Sequence, residues 1–210
     1  MKISLFGTGF VGHVLARELA DRAHTVTAVA RHPDPQLAPR IRTIAGSVHD
    51  PAVVAEATAG ADIIVSALSP LVGGGLPAGT RVLATAADAI GARLGLVGSS
   101  AVLPVTPGGP RHADTEGFPD WLADRVSAHQ QTLDLLGDTP GTLSWFYLAA
   151  AGEFGSHVRG VRTGQYRRST TAQVSDENGR SRIGVDDYSI AFADEIDTPT
   201  VHRGWLTVGY

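Results

Sequence analysis

Residues 2–12 read "KISLFGTGFVG", and the run continues through residue 22 as "HVLARELADR". "KISLF" (2–6) is an apolar run of strand length. "GFVGHVLARELADR" places Phe10, Val14, Leu15 and Leu19 near helical spacing, which predicts a helix with one apolar face. Between the two, Gly7, Gly9 and Gly12 satisfy Gly-x-Gly-x-x-Gly. In that spacing the first glycine makes a tight turn, the second lets backbone approach a pyrophosphate, and the third lets helix and strand pack closely. The free N–H groups and dipole of the helix start favour phosphate. Gly7, Thr8, Gly9, Phe10, Val11 and Gly12 are therefore expected to cradle a dinucleotide, the alternative being a plain turn before a helix.

Outward from this stretch the same alternation repeats. Strands are expected at 25–30, 42–46, 62–68, 93–98 and 143–149, with helices at 51–59, 78–91 and 118–136. Strands alternating with helices argue for right-handed β-α-β units and a parallel sheet. Several strands are continuously apolar, as when helices cover both faces. The fold class expected is α/β, a doubly wound parallel sheet. After about residue 150 the rhythm breaks into "GEFGSHVRGVRTGQYRRSTTAQVSDENGRSR", read as loops with one or two short strands. "VDDYSIAFADEID" (185–197) then recovers helical spacing, and "GWLTVGY" (204–210) reads as a strand. The expectation is a single domain over 1–210, with 150–210 contributing a small lobe above the carboxyl edge of the sheet, where open α/β folds bind ligands.

Composition narrows the chemistry. A chain of 210 residues, 43% hydrophobic, can bury one sizeable core. A formal net charge of −4 lacks the basic footprint of a nucleic-acid binder. With no cysteine, thiolate metal sites, disulfides and cysteine nucleophiles are excluded. No stretch has the length of a membrane span or a signal-peptide core. The expected partners are small molecules, not nucleic acid or membrane, with room for a homo-oligomer; the expected location is cytoplasmic. Eight histidines include no helical pair at metal-ligand spacing, so no metal is expected. "VGSSA" lacks the second glycine of a hydrolase nucleophile elbow.

The end of the second strand should carry the residue that reads the adenine ribose: an acid for the 2′-hydroxyl of NAD, a cation for the 2′-phosphate of NADP. "TVTAVARHPD" supplies Arg31 and His32, and no acid before Asp34. NADP(H) is favoured over NAD(H), against the alternative of Arg31 as a solvated loop residue. Ala67, Leu68 and Ser69, with Pro70, are expected to line the cofactor groove after the fourth strand, and Ser99 after the fifth.

The chain resembles the atypical short-chain dehydrogenase/reductase group of NAD(P)H-binding proteins, the NADH-flavin-reductase type related to NmrA-like and biliverdin-reductase-B-like proteins. The likeness spans nearly the whole length. It rests on "LFGTGFVGHVLARELADRAHTVTAVARHP", "ADIIVSALSP", "FPDWLADRVSAHQQTLDLL" and the tail "TGQYR…SRIGVDDYSIAFADEID…LTVGY". It implies a Rossmann-like fold and nicotinamide-dependent reduction. Three departures stand out. The first loop is one residue shorter than the family's Gly-x-x-Gly-x-x-Gly. Ser47 replaces an acid after the third strand. "GSSAVL" replaces a glycine-rich turn after the fifth.

Ordinary short-chain dehydrogenases use a tyrosine assisted by a lysine four residues later. The corresponding helix here carries Arg125 and His129, and the only lysine of the chain is Lys2. The remaining catalytic candidates are Ser100, His129, which can exchange a proton near neutral pH, and Tyr147 at the end of the sixth strand. Each has a structural alternative, as loop serine, helix-surface histidine and core aromatic. His112 lies in a long loop, "PGGPRHADTEGF", read as a lid. Arg159, Arg162, Arg167 and Arg168 form a basic cluster that either meets an anion or is solvated. A site without a lysine-tuned acid suits hydride transfer to a flavin, quinone or similar conjugated acceptor. The alternatives are a non-enzymatic NADP(H)-binding redox sensor and a specialised biosynthetic reductase, isomerase or cyclase.

Overall fold

The apolar runs and amphipathic segments alternate in space as they do in sequence. A computed structural model of the chain describes residues 1–37, 39–71, 75–158 and 160–210. In chain order its elements are β1 (Lys2–Phe6), α1 (Phe10–Asp21), β2 (Thr25–Ala30), β3 (Arg42–Ala45), α2 (Pro51–Thr58), β4 (Ile63–Ser66), α3 (Gly75–Ile90), β5 (Arg93–Ser99), α4 (Ala123–Gly137), β6 (Trp145–Ala150), β7 (Arg167–Ser169), α5 (Val185–Asp197) and β8 (Arg203–Gly209). They build one eight-stranded sheet in the order β3-β2-β1-β4-β5-β6-β8-β7. All neighbours are parallel except the antiparallel β7–β8 edge pair. This is a Rossmann-like doubly wound sheet. Its direction of growth reverses at β1, so the crevice beyond the carboxyl ends of β1 and β4 is the position where such folds bind ligands.

Both faces are covered, which explains the continuous apolar strands. On one face Leu15 and Leu19 of α1 and Tyr188, Phe192 and Ile196 of α5 pack on Ile3, Leu5, Phe146, Leu148 and Leu206. On the other, Val54 of α2, Leu83 of α3 and Leu136 of α4 pack on Phe6, Ile64, Leu94, Leu96, Trp145 and Tyr147. β4 ends at Ser66, two residues short of the run expected from sequence: Ala67 still donates to the Phe6 carbonyl at 2.8 Å, and the chain then turns into the crevice. α4 begins at Ala123 instead of 118 because Pro119 disfavours helix at the residue before it. A short 3₁₀ turn at Asp120–Leu122 intervenes. Asp50 caps α2 by accepting the Ala52 and Val53 N–H groups, with Pro51 at the first helical position.

Of the tail, α5 and β8 belong to the main sandwich, and β7 with the flanking loops stands at the sheet edge. Two buried carboxylates fasten it. Glu195 accepts from Arg93 at 2.6 Å and from Thr200 and Val201, while the Arg93 guanidinium lies 4.3 Å over the Phe146 ring. Asp187 accepts from Thr163, Gly164 and the Tyr210 hydroxyl, pinning the loop before β7 to the start of α5. Burial opposes the charge at both acids, but these hydrogen bonds outweigh it and hold each pKa below the usual carboxylate value.

Depressed folded-state pKa values mean that both acids contribute their full stabilisation above the usual carboxylate range and lose it as pH falls through the lowered values. Glu195→Ala leaves Arg93 buried without its partner and is expected to cost about 3–5 kcal/mol. The check is a urea titration at neutral pH and again in acid: the variant should fall in midpoint at neutral pH and show a shallower acid decline than the parent. Equal midpoints would remove the pair from the stability account.

Candidate functional site

A cleft of about 690 Å³ runs along the carboxyl edge of the sheet, and its walls include the turns that follow β1, β2, β3, β4, β5 and β6. At its centre is the β1–α1 turn. Gly7 has φ +99°, and a Cβ there would lie 2.5 Å from the Ala67 carbonyl oxygen; one on Gly12 would lie 1.9 Å from the Gly7 carbonyl oxygen. Gly9, by contrast, is exposed, and a Cβ there would meet nothing within 4 Å. The three glycines thus divide as the spacing requires, two for protein packing and one open to the cleft. Gly9 is the N-cap of α1 and no side chain caps the helix. The first amides of α1, having no intrahelical acceptors, are left to a ligand. This cradle fits a diphosphate held on backbone N–H groups.

One end of the cleft is formed by Val29, Ala30, Arg31 and His32 after β2 and by Gly46, Ser47 and Val48 after β3. Arg31 and His32 are exposed, and among the described residues neither has a hydrogen bond or ion pair. Asp34, the nearby acid, is engaged by His13 at 3.0 Å and by the Gln36 N–H at 2.9 Å. The middle wall is Ala67, Leu68, Ser69 and Pro70, facing Thr8, Phe10 and Val11.

The far end is built from Val97–Ala101, His112, Phe118, Leu122, Arg125, Val126, His129, Ala150–Gly152 and Phe154. Ser99 caps the following 3₁₀ turn through the Ala101 N–H at 3.3 Å, and Ser100 is buried in the wall. His129 lines the cleft from α4. Tyr147, a pocket candidate from sequence with a core aromatic as the alternative, is fully buried beneath β5 and touches the cleft wall through its hydroxyl, which accepts the Ser99 N–H and stands 2.8 Å from His129 Nδ1. β6 is buried on both faces, so its sequence carries no alternation from which the direction of Tyr147 could be read. Arg125 and His112 were placed by sequence on a helix and in a lid, without a role; the fold brings both to this end. Phe118 and Leu122 fall within the helix expected at 118–136 but precede the observed start of α4, and Phe154 sits in an irregular segment where spacing carries no signal. His112 packs edge-on to Phe118, and burial alone lowers its pKa. Phe154 stacks between Phe10 and Tyr188, with centroids at 5.8 and 5.0 Å.

Among the described residues the cleft is lined by two arginines and three histidines and by no aspartate or glutamate, in a chain whose net charge is −4. Its lining therefore favours an anionic ligand. The tail arginines do not join it. Arg162 pairs with Glu18 at 2.7 Å, Arg167 donates to the Ser175 and Tyr210 carbonyls, and Arg168 reaches Thr200; Arg159 lies outside the described residues. Lys2 opens β1 at the opposite edge of the sheet.

Residues 7–194 match the model of the NAD(P)H-binding family. The chain belongs to that family. It is similar to a Burkholderia pseudomallei protein named provisionally as exported, with 34% identity, TM-score 0.88 and 100% of both chains covered. It is also similar to a Bacteroides thetaiotaomicron protein named provisionally as an epimerase, with 30% identity, TM-score 0.87, and 100% of this chain and 96% of that one covered. The uncharacterized protein YwnB of Bacillus subtilis (strain 168) is 29% identical over 99% of this chain and 98% of its own. These matches cover the tail as well as the β-α-β units. No helix among the described residues is long and apolar enough to cross a membrane.

The unequal glycines give a direct test. Gly9→Ala should leave the melting temperature nearly unchanged, since its Cβ meets no protein atom. It should weaken nucleotide binding on the order of tenfold, one backbone-phosphate contact at about 1.5 kcal/mol. Gly12→Ala should instead lower the melting temperature, because a Cβ there overlaps the Gly7 carbonyl. Calorimetric titration beside thermal melts separates the two; a Gly9→Ala variant that binds as tightly as the parent would clear the β1–α1 turn of a phosphate role.

Proposed function

We propose that the protein is an NADPH-dependent reductase that passes hydride to a flavin, quinone or similar conjugated acceptor. The observation that carries this reading is a cleft that, among the described residues, holds no carboxylate and has an uncommitted arginine at one end, open helix amides in the middle and neutral or cationic donors at the other. The amides of Phe10, Val11 and Gly12 would hold the diphosphate, and Arg31, assisted by His32, the 2′-phosphate. Ala67, Leu68 and Ser69 would fix the ribose-side wall. When bound, the dihydronicotinamide supplies a hydride from C4.

Ser99, Ser100 and His129 lie where the acceptor would meet the cofactor. With no lysine to tune a tyrosine acid, the chain's contribution is alignment and water exclusion. Conjugated acceptors suit this, because their reduced anions can take a proton from water in a separate step. Residues 151–184, with the 103–122 loop, would act as the small lobe that covers the acceptor, bringing Phe154, His112 and Phe118 over it. A cytoplasmic location fits a chain with no cysteine that draws on a reduced nicotinamide pool.

Calorimetry with both coenzymes tests the first half. NADPH should bind more tightly than NADH, and Arg31→Ala should weaken NADPH roughly 10- to 100-fold, a charge-assisted contact of about 1.5–3 kcal/mol, while leaving NADH within about threefold. Equal affinities in the parent would cancel the arginine argument. NADPH oxidation across a panel of free flavins and quinones tests the second half; tight binding without turnover would point to a redox sensor.

A further inference from the structure

The buried tyrosine behind the acceptor end settles the protonation of the histidine in front of it. Tyr147 packs beneath Gly98, where a Cβ would lie 2.3 Å from its ring. Its hydroxyl accepts the Ser99 N–H at 2.8 Å, stands 2.8 Å from His129 Nδ1, and is 3.5 Å from the Ser99 carbonyl. The amide can only donate, and the hydroxyl has one proton to place. If Nδ1 carried a hydrogen, that proton would be left to a carbonyl at 3.5 Å, where little hydrogen bond remains. Giving it to Nδ1 satisfies all three groups, and the imidazole hydrogen then sits on Nε2. Among the described residues Nε2 takes no bond from the chain and is not one of the sealed, unpartnered interior atoms. It belongs to the edge of a ring that lines the cleft.

We propose that Tyr147 is a positioning residue that holds His129 as a neutral Nε2–H donor. That donor and the Arg125 guanidinium, one turn earlier on α4, together receive a carboxylate or carbonyl oxygen of the acceptor. The assignment of that oxygen to an acceptor rests on the reductase reading above; the state of the ring does not.

The charges around the ring agree. Burial, and then the Arg125 charge, push the His129 pKa down to about 4. Burial pushes the Tyr147 hydroxyl up, so it stays protonated. The other titratable group at this end is His112, also held low by burial. Among the described residues no carboxylate lines this end to stabilise an imidazolium. A neutral imidazole here is a fixed dipole: it stabilises an oxygen that gains negative charge without surrendering its proton, the way oxyanion donors act.

Long-range 15N–1H correlation of the labelled histidines reads the tautomer directly, with His129→Gln identifying the signal. The parent should show the Nε2–H pattern, unchanged from about pH 8 to about pH 5, below the ordinary histidine value. Tyr147→Phe should convert it to a mixture of tautomers. An Nδ1–H pattern, or titration near the ordinary histidine value, in the parent alone would overturn the proposal, whether or not the variant folds. Benzoate, a planar carboxylate, should shift the His129 Nε2–H signal on titration and bind roughly tenfold more weakly to Arg125→Ala, one charge-assisted contact. No shift at saturating benzoate would overturn the receptor role. Neither measurement uses nicotinamide or turnover, so failure of the reductase reading would appear separately, as an absence of NADPH oxidation.

Discussion

The Gly12 backbone and the Gly7 carbonyl approach more closely than any side chain between them would permit, and that contact sets the direction of α1. Gly7 itself turns back against Ala67 at a positive φ that most residues avoid. Because β1 lies between β2 and β4, this turn sits where the sheet changes its direction of growth. The helix start is thereby aimed into the crevice with its amides unpaired. The other walls of the cleft, strand ends together with the start of α4 and the loop before it, are arranged around it. A larger residue at Gly7 or Gly12 would move α1 away from the sheet and turn its amides with it, so packing and binding cannot be separated at those positions. At Gly9 they can.

The far side of the molecule serves the same cleft through a chain of contacts. Arg22 joins Glu18 of its own helix to Asp194 and Asp197 of α5, and Arg162 reaches back to Glu18. Tyr166 donates to Asp194 at 2.5 Å, and Asp187 holds Thr163 and Gly164. The loop before β7 is therefore tied at several charged or polar points to the helix pair under the sheet. Phe154 leads into that loop and touches Phe10 at the cleft and Tyr188 in the core. Tyr188 in turn contacts Phe192, and Phe192 contacts Phe146, above which lies Arg93. The irregular segment that borders the acceptor end is thus anchored on the same core that supports β1. Of the basic cluster seen in sequence, Arg162 is spent on one of these anchors, and Arg167 and Arg168 on the Ser175 and Tyr210 carbonyls and on Thr200.

What was readable from sequence followed from periodicity and glycine chemistry. Gly7, Gly9 and Gly12 announced the cradle because each answers a separate steric demand, and the apolar runs within 62–68 and 143–149 announced buried parallel strands by the absence of alternation. The same absence hid the direction of Tyr147. A strand buried on both faces gives no phase, and only the partner strand and α4 decide which side a residue takes. The α4 boundary slipped because a proline-led 3₁₀ turn shares the composition of a first helical turn. His112, Phe118 and Phe154 lie in loops positioned by long-range contacts: the His112 N–H on the Leu103 carbonyl, and the Glu153 N–H on the Ser181 carbonyl. Local sequence contains no trace of such pairings.

The chemistry at the acceptor end turns on the difference between a cation and a neutral donor. A lysine beside a tyrosine lowers the tyrosine's pKa and makes it a proton source; here the tyrosine is sealed behind a histidine, and its pKa moves upward. Among the described residues the imidazoles at this end of the cleft are His129, held neutral, and His112, whose pKa burial also depresses. Neither is charged in the form burial favours. A reaction whose transition state needs a full proton delivered to an alkoxide gains little from them, because a neutral imidazole N–H is a weak acid that would be left as a high-energy imidazolate. A reaction that spreads new negative charge over a conjugated carbonyl gains more, since a fixed N–H dipole and a guanidinium stabilise that charge where it develops. On the proposed reductase reading, a neutral donor in place of a cationic relay favours an acceptor that stores the electron pair by delocalisation and leaves the proton to solvent.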